Sequence, residues 1–371
     1  MAYTVPDLRY QASNSMMDAD ALKAHMNKFT IEPRFSVGIW YFTPGGGRFH
    51  DRYVPEASIP ERIEMAKEMA DLGITGIEAH FPAEINFDNI DLYRDLEKSA
   101  GIRVVGVPFS HFYDKEFEFG SLSSPYKAVR EKAINLAEEG LKLVKEIGAG
   151  CAVSWPGIDG YTYMIGTIYP WMWHNFEAGM AEAMDRVPGV RVAIEPKPYE
   201  PAPNNIYRTT AEGILAAQRI QARLTHPDNR SIIDAGHQLV GLNPEIGHVT
   251  MGGEPLAGAY ALVGMHGMLA HTHWNSQPFG NYDQDLNVGV VNVREAYALM
   301  YVLKMMGYKE WFGIDINPER MPASTAVDIN VRAINAINAR IEALPHDEII
   351  DAYLNPGERR GDLERILLGL L

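Results

Sequence analysis

The sequence predicts an α/β protein built as a (β/α)8 TIM barrel with a short helical C-terminal extension. Three observations predict it. Eight short apolar runs recur between residues 34 and 315, each followed by a helix or a long loop. Such alternation implies parallel strands joined by right-handed crossovers, and eight units suggest closure rather than an open sheet. No G-x-G-x-x-G opens a helix after the first run, and no G-x-x-x-x-G-K-[ST] occurs, so dinucleotide-binding folds and phosphate loops are disfavoured. Finally, the polar residues gather at the C-terminal ends of the runs, where barrels of this type carry their functional groups.

Residues 1–33 have mixed polarity and no strong period, and read as a helical or irregular lead-in. Residues 35–42 form the first strand, and Gly45, Gly46 and Gly47 follow as a loop. Ser58 and Glu61 make a capping box. Ile59, Ile63, Ala66 and Ala70 mark one face of the helix it opens, and Gly73 ends it. Strands follow at 76–81, 102–109, 151–155, 190–195, 242–248 (short, or a strand end), 268–273 and 311–315. Helices are expected at 88–100, from Ser124-Pro125 to Gly148, and at 174–186, 209–223, 254–267 and 293–306. The last helices run from about 324 to 343 and 358 to 370. The expected division is a lead-in at 1–33, a catalytic barrel at 34–322 and a helical extension at 323–371.

The chain has 371 residues, 46% hydrophobic and 22% charged, with a net charge of −15. That composition is ordinary for a soluble protein. The acidic balance argues against nucleic acid or an anionic membrane as partner. Cys151 is the one cysteine, so no intramolecular disulfide forms and a cytoplasmic setting is expected. The N-terminus lacks the pattern of a signal peptide, and no run approaches the ~18 apolar residues of a membrane span.

The stretch from His271 to Asp285 is the richest in chemistry. It holds His271 and His273, then Asp283 and Asp285, each pair spaced i, i+2. On extended backbone, such pairs face one side. Two imidazoles and two carboxylates suit a divalent metal; a solvated surface loop is the other reading. The strand ends supply further donors. Glu195 and Lys197 share the same spacing, with prolines flanking Lys197. Glu245 and His248 are three apart, as on one turn of helix, and Asp234 with His237 is a competing pair read as loop. Asp315 ends an apolar strand, where an unpaired acid is costly. Trp40, Phe109 and Trp155 suit either the core or the apolar face of a sugar ring.

The segments I-E195-P-K-P-Y-E-P, N243-P-E-I-G-H248 and Y282-D-Q-D285 resemble the motifs of the D-xylose isomerase family, in the same order. W155-P-G-I-D-G is similar to that family's tryptophan-glycine segment. The likeness spans about residues 34–320. It implies an aldose–ketose isomerase that uses two divalent ions (Mg²⁺, Mn²⁺ or Co²⁺) and a hydride shift, with D-xylose or else D-glucose as substrate. The first ion site would be Glu195, Glu245, His273 and Asp315. The second would be Glu245, His248, Asp283 and Asp285. Lys197 would polarise the carbonyl oxygen, and Trp155 and Phe109 would exclude water. His80 would assist ring opening, Trp40 would line the pocket, and Phe49 would reach a neighbouring subunit in a homo-oligomer, a dimer or tetramer.

The chain also departs from the family. His273 stands where the family has an acid, which favours softer metals. The acids that follow the family's ring-opening histidine are missing after His80, leaving Glu78 or Glu84 as substitutes. Asn317 replaces a lysine. The alternatives are therefore a metal-dependent epimerase or lyase working by proton transfer, with Lys197, His80 or His111 as base, and a non-catalytic sugar-binding subunit.

Overall fold

The computed structural model describes residues 3–45 and 51–370. Eight parallel strands form one sheet: β1 Arg34–Gly38, β2 Ile74–Glu78, β3 Arg103–Pro108, β4 Cys151–Ser154, β5 Val192–Ile194, β6 Val240–Leu242, β7 Thr272–Trp274 and β8 Trp311–Ile314. Their order in the sheet is β6-β5-β4-β3-β2-β1-β8-β7. The two ends meet. Leu242 N–H donates to Met268 O at 2.7 Å, Ala270 N–H to Leu242 O at 3.0 Å, and His273 N–H to Pro244 O at 3.2 Å. Those bonds close this sheet into a barrel, so neither of its end strands is left as an open edge.

The strands read as nearly unbroken apolar runs because both faces are buried, one against the barrel interior and one against helices. Helix α1 (Arg9–Asn14) and α2 (Ala19–Lys28) precede the barrel. Its crossovers carry α3 (Ile59–Glu68), α4 (Ile90–Ala100), α5 (Lys127–Ile147), α6 (Tyr169–Arg186), α7 (Thr210–Arg223), α8 (Pro227–Asp234), α9 (Ile246–Met251), α10 (Leu256–Met265) and α11 (Val293–Met306). The capping box expected at Ser58 and Glu61 opens α3. Helix α12 (Ala323–Glu342) packs beside α11 and the turn after α3, completing the helical ring. It is therefore the barrel's own eighth helix rather than the start of an extension. Beyond it lie α13 (His346–Leu354) and α14 (Asp362–Leu367).

Three differences from the sequence reading have local causes. Residues 242–248 are not one strand: β6 stops at Leu242, Pro244 cannot donate to a ladder, and α9 begins behind it. The Asp234 segment is a helix, started by Pro227 and by His226, whose Nδ1 accepts from Asp228 N–H. The helix expected at 358–370 is confined to α14 and a closing turn, because Gly361 breaks the chain at φ 82°.

The lead-in is not a loose arm. Gln11 is fully buried beneath the barrel, where its amide donates to Leu269 O at 3.0 Å and accepts from Leu269 N–H at 3.1 Å. Leu8 packs on Cys151, Val153, Ala193 and Ala270 to fill the barrel floor. Burial there pushes the Cys151 thiol up to about 12.

Candidate metal centre

Each donor owes its position to a strand end. Glu195 and Lys197 follow β5. Glu245 is the N-cap residue of α9, so His248 lies one turn along the same face. His273 lies in β7, and His271 is the residue immediately before it. Asp315 follows β8. Asp283 and Asp285 come back over the mouth on a loop clamped by two backbone bonds between Ser276 and Leu286, at 2.8 and 3.1 Å. Gln277 pins the same loop, donating to Tyr282 O at 2.6 Å and accepting from Gln284 N–H at 3.0 Å.

The groups converge on a cleft of about 290 Å³ lined by Glu195, Lys197, Glu245, His248, His273, Asp283, Asp285 and Asp315 on one side. Trp40, His80, Phe112, Tyr113 and Trp155 form the other side. Two donor clusters share Glu245: one adds Glu195, His273 and Asp315, the other His248 and Asp283, each within 4.8 Å. Asp285 lines the same cleft and is tied to Asn275, whose amide donates to Asp285 Oδ1 at 3.1 Å and Glu245 Oε1 at 2.8 Å.

The donor sets fit divalent cations. His273 Nδ1, His248 Nδ1 and Asp283 Oδ1 are buried and make no hydrogen bond. Such atoms are costly in a protein interior unless something binds them. Glu245 is held well above the usual carboxylate range by burial and by Asp283, Asp285, Asp315 and Glu195 around it. Asp285 is raised by burial and by Asp283 and Asp315. For Glu195, burial opposes ionisation, but His273, His248 and the Asn243 amide outweigh it and lower the carboxyl. A bound cation relieves the crowding that raises Glu245.

Lys197 is buried, which alone would lower its pKa, yet Asp283 at 2.7 Å holds it above the usual lysine value. It is therefore a fixed ammonium, lying 5.1 Å from the Trp155 ring centroid. His80 donates from Nδ1 to Glu84 Oε2 at 2.8 Å, and Arg62 holds the other oxygen of Glu84 at 3.2 Å. A carboxylate only accepts, so this contact leaves His80 Nε2 for a ligand in the cleft. Glu84, not Glu78, is thus the acid beside His80. Trp40 donates from Nε1 to Asp315 at 3.1 Å.

Several expectations are redirected. Phe109 does not line the cleft: it is fully buried, packed so closely on α5 that a Cβ at Gly140 would lie 2.5 Å from its ring. Phe112 takes its place, 4.6 Å from Trp155 and 5.6 Å from His80 between ring centroids. His111 is buried outside the cleft, donating to Ala133 O at 3.0 Å, and burial lowers its pKa. Asp234 pairs with Arg230 on α8, and His237 lies 3.7 Å from Asp7 at the barrel floor. Phe49 lies outside the described residues. Asn243 and Asn275, which fix Glu195 and Glu245, were not singled out in the sequence.

The family model for xylose isomerase-like TIM barrels matches residues 66–337. The chain is also 30% identical over 297 residues to the xylose isomerase of Thermus thermophilus, covering 75% of this chain and 71% of that one. The chain belongs to the xylose isomerase-like TIM barrel family. Solved structures share the fold at lower identity. A structure of L-ribulose 3-epimerase matches with a TM-score of 0.59 and 13% identity, over 85% of this chain and 98% of that one. The 3-keto-D-glucoside 4-epimerase of E. coli matches with a TM-score of 0.56 and 15% identity, over 83% and 100%. Membership of this family supports a sugar isomerase or epimerase with metal-binding residue clusters. Among the described residues, no helix is long and apolar enough to cross a membrane.

Proposed function

We propose that the protein is a divalent-metal-dependent aldose–ketose isomerase that moves hydrogen between C1 and C2 of an open-chain sugar, with D-xylose to D-xylulose as the first substrate pair and D-glucose to D-fructose the next. The observation that carries this reading is the Lys197–Asp283 ion pair at 2.7 Å on the rim of two donor clusters that share Glu245. A lysine held as ammonium donates a hydrogen bond to a carbonyl oxygen and does not take a proton from carbon. That favours hydride shift over abstraction by Lys197.

Glu195, Glu245, His273 and Asp315 would hold one cation, and Glu245, His248, Asp283 and Asp285 a second. Bound divalent ions supply Lewis-acid polarisation of the sugar oxygens and offset the carboxylate charge. His273 tilts the first set towards Mn²⁺ or Co²⁺ over Mg²⁺. His80, oriented by Glu84, passes a proton at the ring oxygen during ring opening. Lys197 then stabilises charge on the carbonyl oxygen. Trp155, Phe112 and Trp40, on the same side of the cleft, pack on the sugar's apolar face and keep water from the migrating hydrogen. That hydrogen leaves C2 with its electron pair and bonds to C1; the C2 hydroxyl loses its proton and the C1 oxygen gains one, so the sugar undergoes no net oxidation. On the ground of family membership, the protein is also proposed to work as a cytoplasmic homo-oligomer, which light scattering and fractionation would check.

Turnover of D-xylose in deuterated water tests the chemistry. Product that keeps its hydrogen without solvent deuterium supports hydride shift. Deuterium on carbon replaces it with proton transfer through an enediolate, the chemistry of an epimerase, with His80 as the available base. Full activity after chelation of all metal overturns both.

A further inference from the structure

Glu78 is a carboxylate buried inside the barrel. It ends β2 with its side chain turned into the barrel, 1% exposed. A buried carboxylate needs partners, and this one has three: Ser36 Oγ at 2.8 Å, His271 Nε2 at 2.9 Å and His273 Nε2 at 3.0 Å. Space for the group is left by Gly313 on β8. A Cβ there would lie 2.8 Å from His271 Nε2, 2.9 Å from Glu78 Oε1 and 2.9 Å from His273 Cδ2. Glu78 does not line the cleft and reaches His273 Nε2 from behind it.

The chemistry of the acceptor fixes the chemistry of the rings. An ionised carboxylate accepts and cannot donate, so both Nε2 atoms facing it carry hydrogen. In His273 the remaining nitrogen, Nδ1, points the other way. It lies 3.2 Å from Glu195 Oε2 and 3.1 Å from Asp315 Oδ2 and makes no hydrogen bond to either. One ring thus spans two environments: an acid behind it and a set of cation donors in front.

We propose that Glu78 is a positioning residue that makes His273 a metal ligand through Nδ1, by holding the proton on Nε2 and fixing the plane of the ring. His271 is the second anchor of Glu78 and keeps its carboxylate from rotating. The arrangement puts a negative charge one residue behind a neutral ligand, so the first donor set keeps its anionic character through the imidazole. Hydrogen bonds at 2.9 and 3.0 Å occupy the Glu78 oxygens, so this triad supports the neighbouring ion site and is not a third ion site itself. The inference rests on the metal reading of the cleft.

Calorimetric titration of the chelated full-length protein with Mn²⁺ tests that reading first, and comparison with Glu78→Gln tests the inference. An amide offers an N–H₂ to one of the two rings, so it no longer dictates the His273 tautomer. Loss of such an outer partner weakens metal binding by about 10–100-fold. That loss is expected at one site, with the other retained, together with a changed Co²⁺ absorption spectrum. His271→Gln, which leaves the Glu78–His273 bond in place, is expected to change Mn²⁺ affinity by less than Glu78→Gln does. Unchanged Mn²⁺ affinity and Co²⁺ spectrum in Glu78→Gln overturn the inference while leaving the metal site standing. A wild-type protein that binds no Mn²⁺ overturns both. Should Glu78→Gln fail to fold, ¹⁵N-histidine spectra of the wild type decide. A Mg²⁺-induced shift at His273 Nδ1 with the proton kept on Nε2 supports the inference, and the reverse overturns it.

Discussion

Lys197 and Asp283 meet at 2.7 Å across the mouth of the barrel, although 86 positions separate them in the chain. The pair joins the end of β5 to the loop that follows β7. It also connects two parts of the site, because Asp283 belongs to the second donor cluster and Lys197 lines the cleft beside it. Its geometry sets the first prediction. Lys197→Gln removes the charged donor but keeps an amide of similar reach. Removing one such electrostatic contact costs about 10²–10³ in kcat. The loss is expected in kcat more than in KM for the aldose, and steady-state kinetics on D-xylose at saturating Mn²⁺ would show it. Unchanged kcat would remove Lys197 from the reaction.

Glu245 leads to a prediction about stability with an unusual sign. It sits in both donor clusters, and burial with four neighbouring acids raises its carboxyl well above the ordinary value. In the metal-free protein this crowding is unfavourable. Glu245→Gln is therefore expected to raise the Tm of the chelated protein while abolishing turnover. In the wild type, Mn²⁺ at about 100 times its Kd contributes roughly 2.7 kcal/mol by mass action, a rise of a few degrees. The variant should lose most of that rise. Thermal unfolding with and without Mn²⁺ compares the two, and an active Glu245→Gln would contradict a shared carboxylate.

Metal binding should depend on pH in a direction that His273 fixes. Burial opposes its charge, but Glu78, Glu195 and Asp315 outweigh this and hold the imidazole well above its usual range. A raised histidine stabilises the metal-free fold below its unfolded pKa, and that contribution fades as pH climbs through the folded pKa. A cation at Nδ1 must displace the proton, so its affinity is low in acid and rises as pH rises. The climb continues through the neutral range, up to the folded pKa of His273. One released proton gives about a tenfold gain in affinity per pH unit. Calorimetry in buffers of different ionisation enthalpy should detect release of at least one proton per Mn²⁺, since the raised Glu245 must ionise as well.

Much of the fold was legible because buried parallel strands are apolar runs and the helices between them are stopped by glycine. Gly73 and Gly148, both at positive φ, end helical segments where the pattern put them. The acids and imidazoles at strand ends were visible for the same reason: Glu195 and Asp315 interrupt apolar sequence. What sequence could not display was distance. Glu78 lies 193 positions from His271, so nothing local signals that they share a hydrogen bond. Asn243 and Asn275 look like ordinary turn residues until their carboxylate partners fold over them. Phe109 was misjudged because β3 ends at Pro108, and strand alternation no longer governs which way the next ring points.

That misjudged ring separates two aromatic roles that one substitution type can test. Phe109 fills the interface between the barrel and α5, where it is fully buried. Phe112 is half-buried and stands in the cleft wall between His80 and Trp155. Phe109→Ala is expected to cost about 3–5 kcal/mol of stability, the usual range for truncating a buried aromatic. Its remaining folded fraction should keep near-normal kcat. Phe112→Ala should unfold close to the wild-type midpoint, because the cleft side of its ring has little packing to lose. Its effect should fall on the reaction: weaker aldose binding and a faster leak of water to the migrating hydrogen, read as solvent deuterium entering the product. Urea unfolding and D-xylose kinetics on both variants give the comparison. If Phe109→Ala loses activity at full stability, the cleft wall runs deeper into the barrel than the packing on Gly140 indicates.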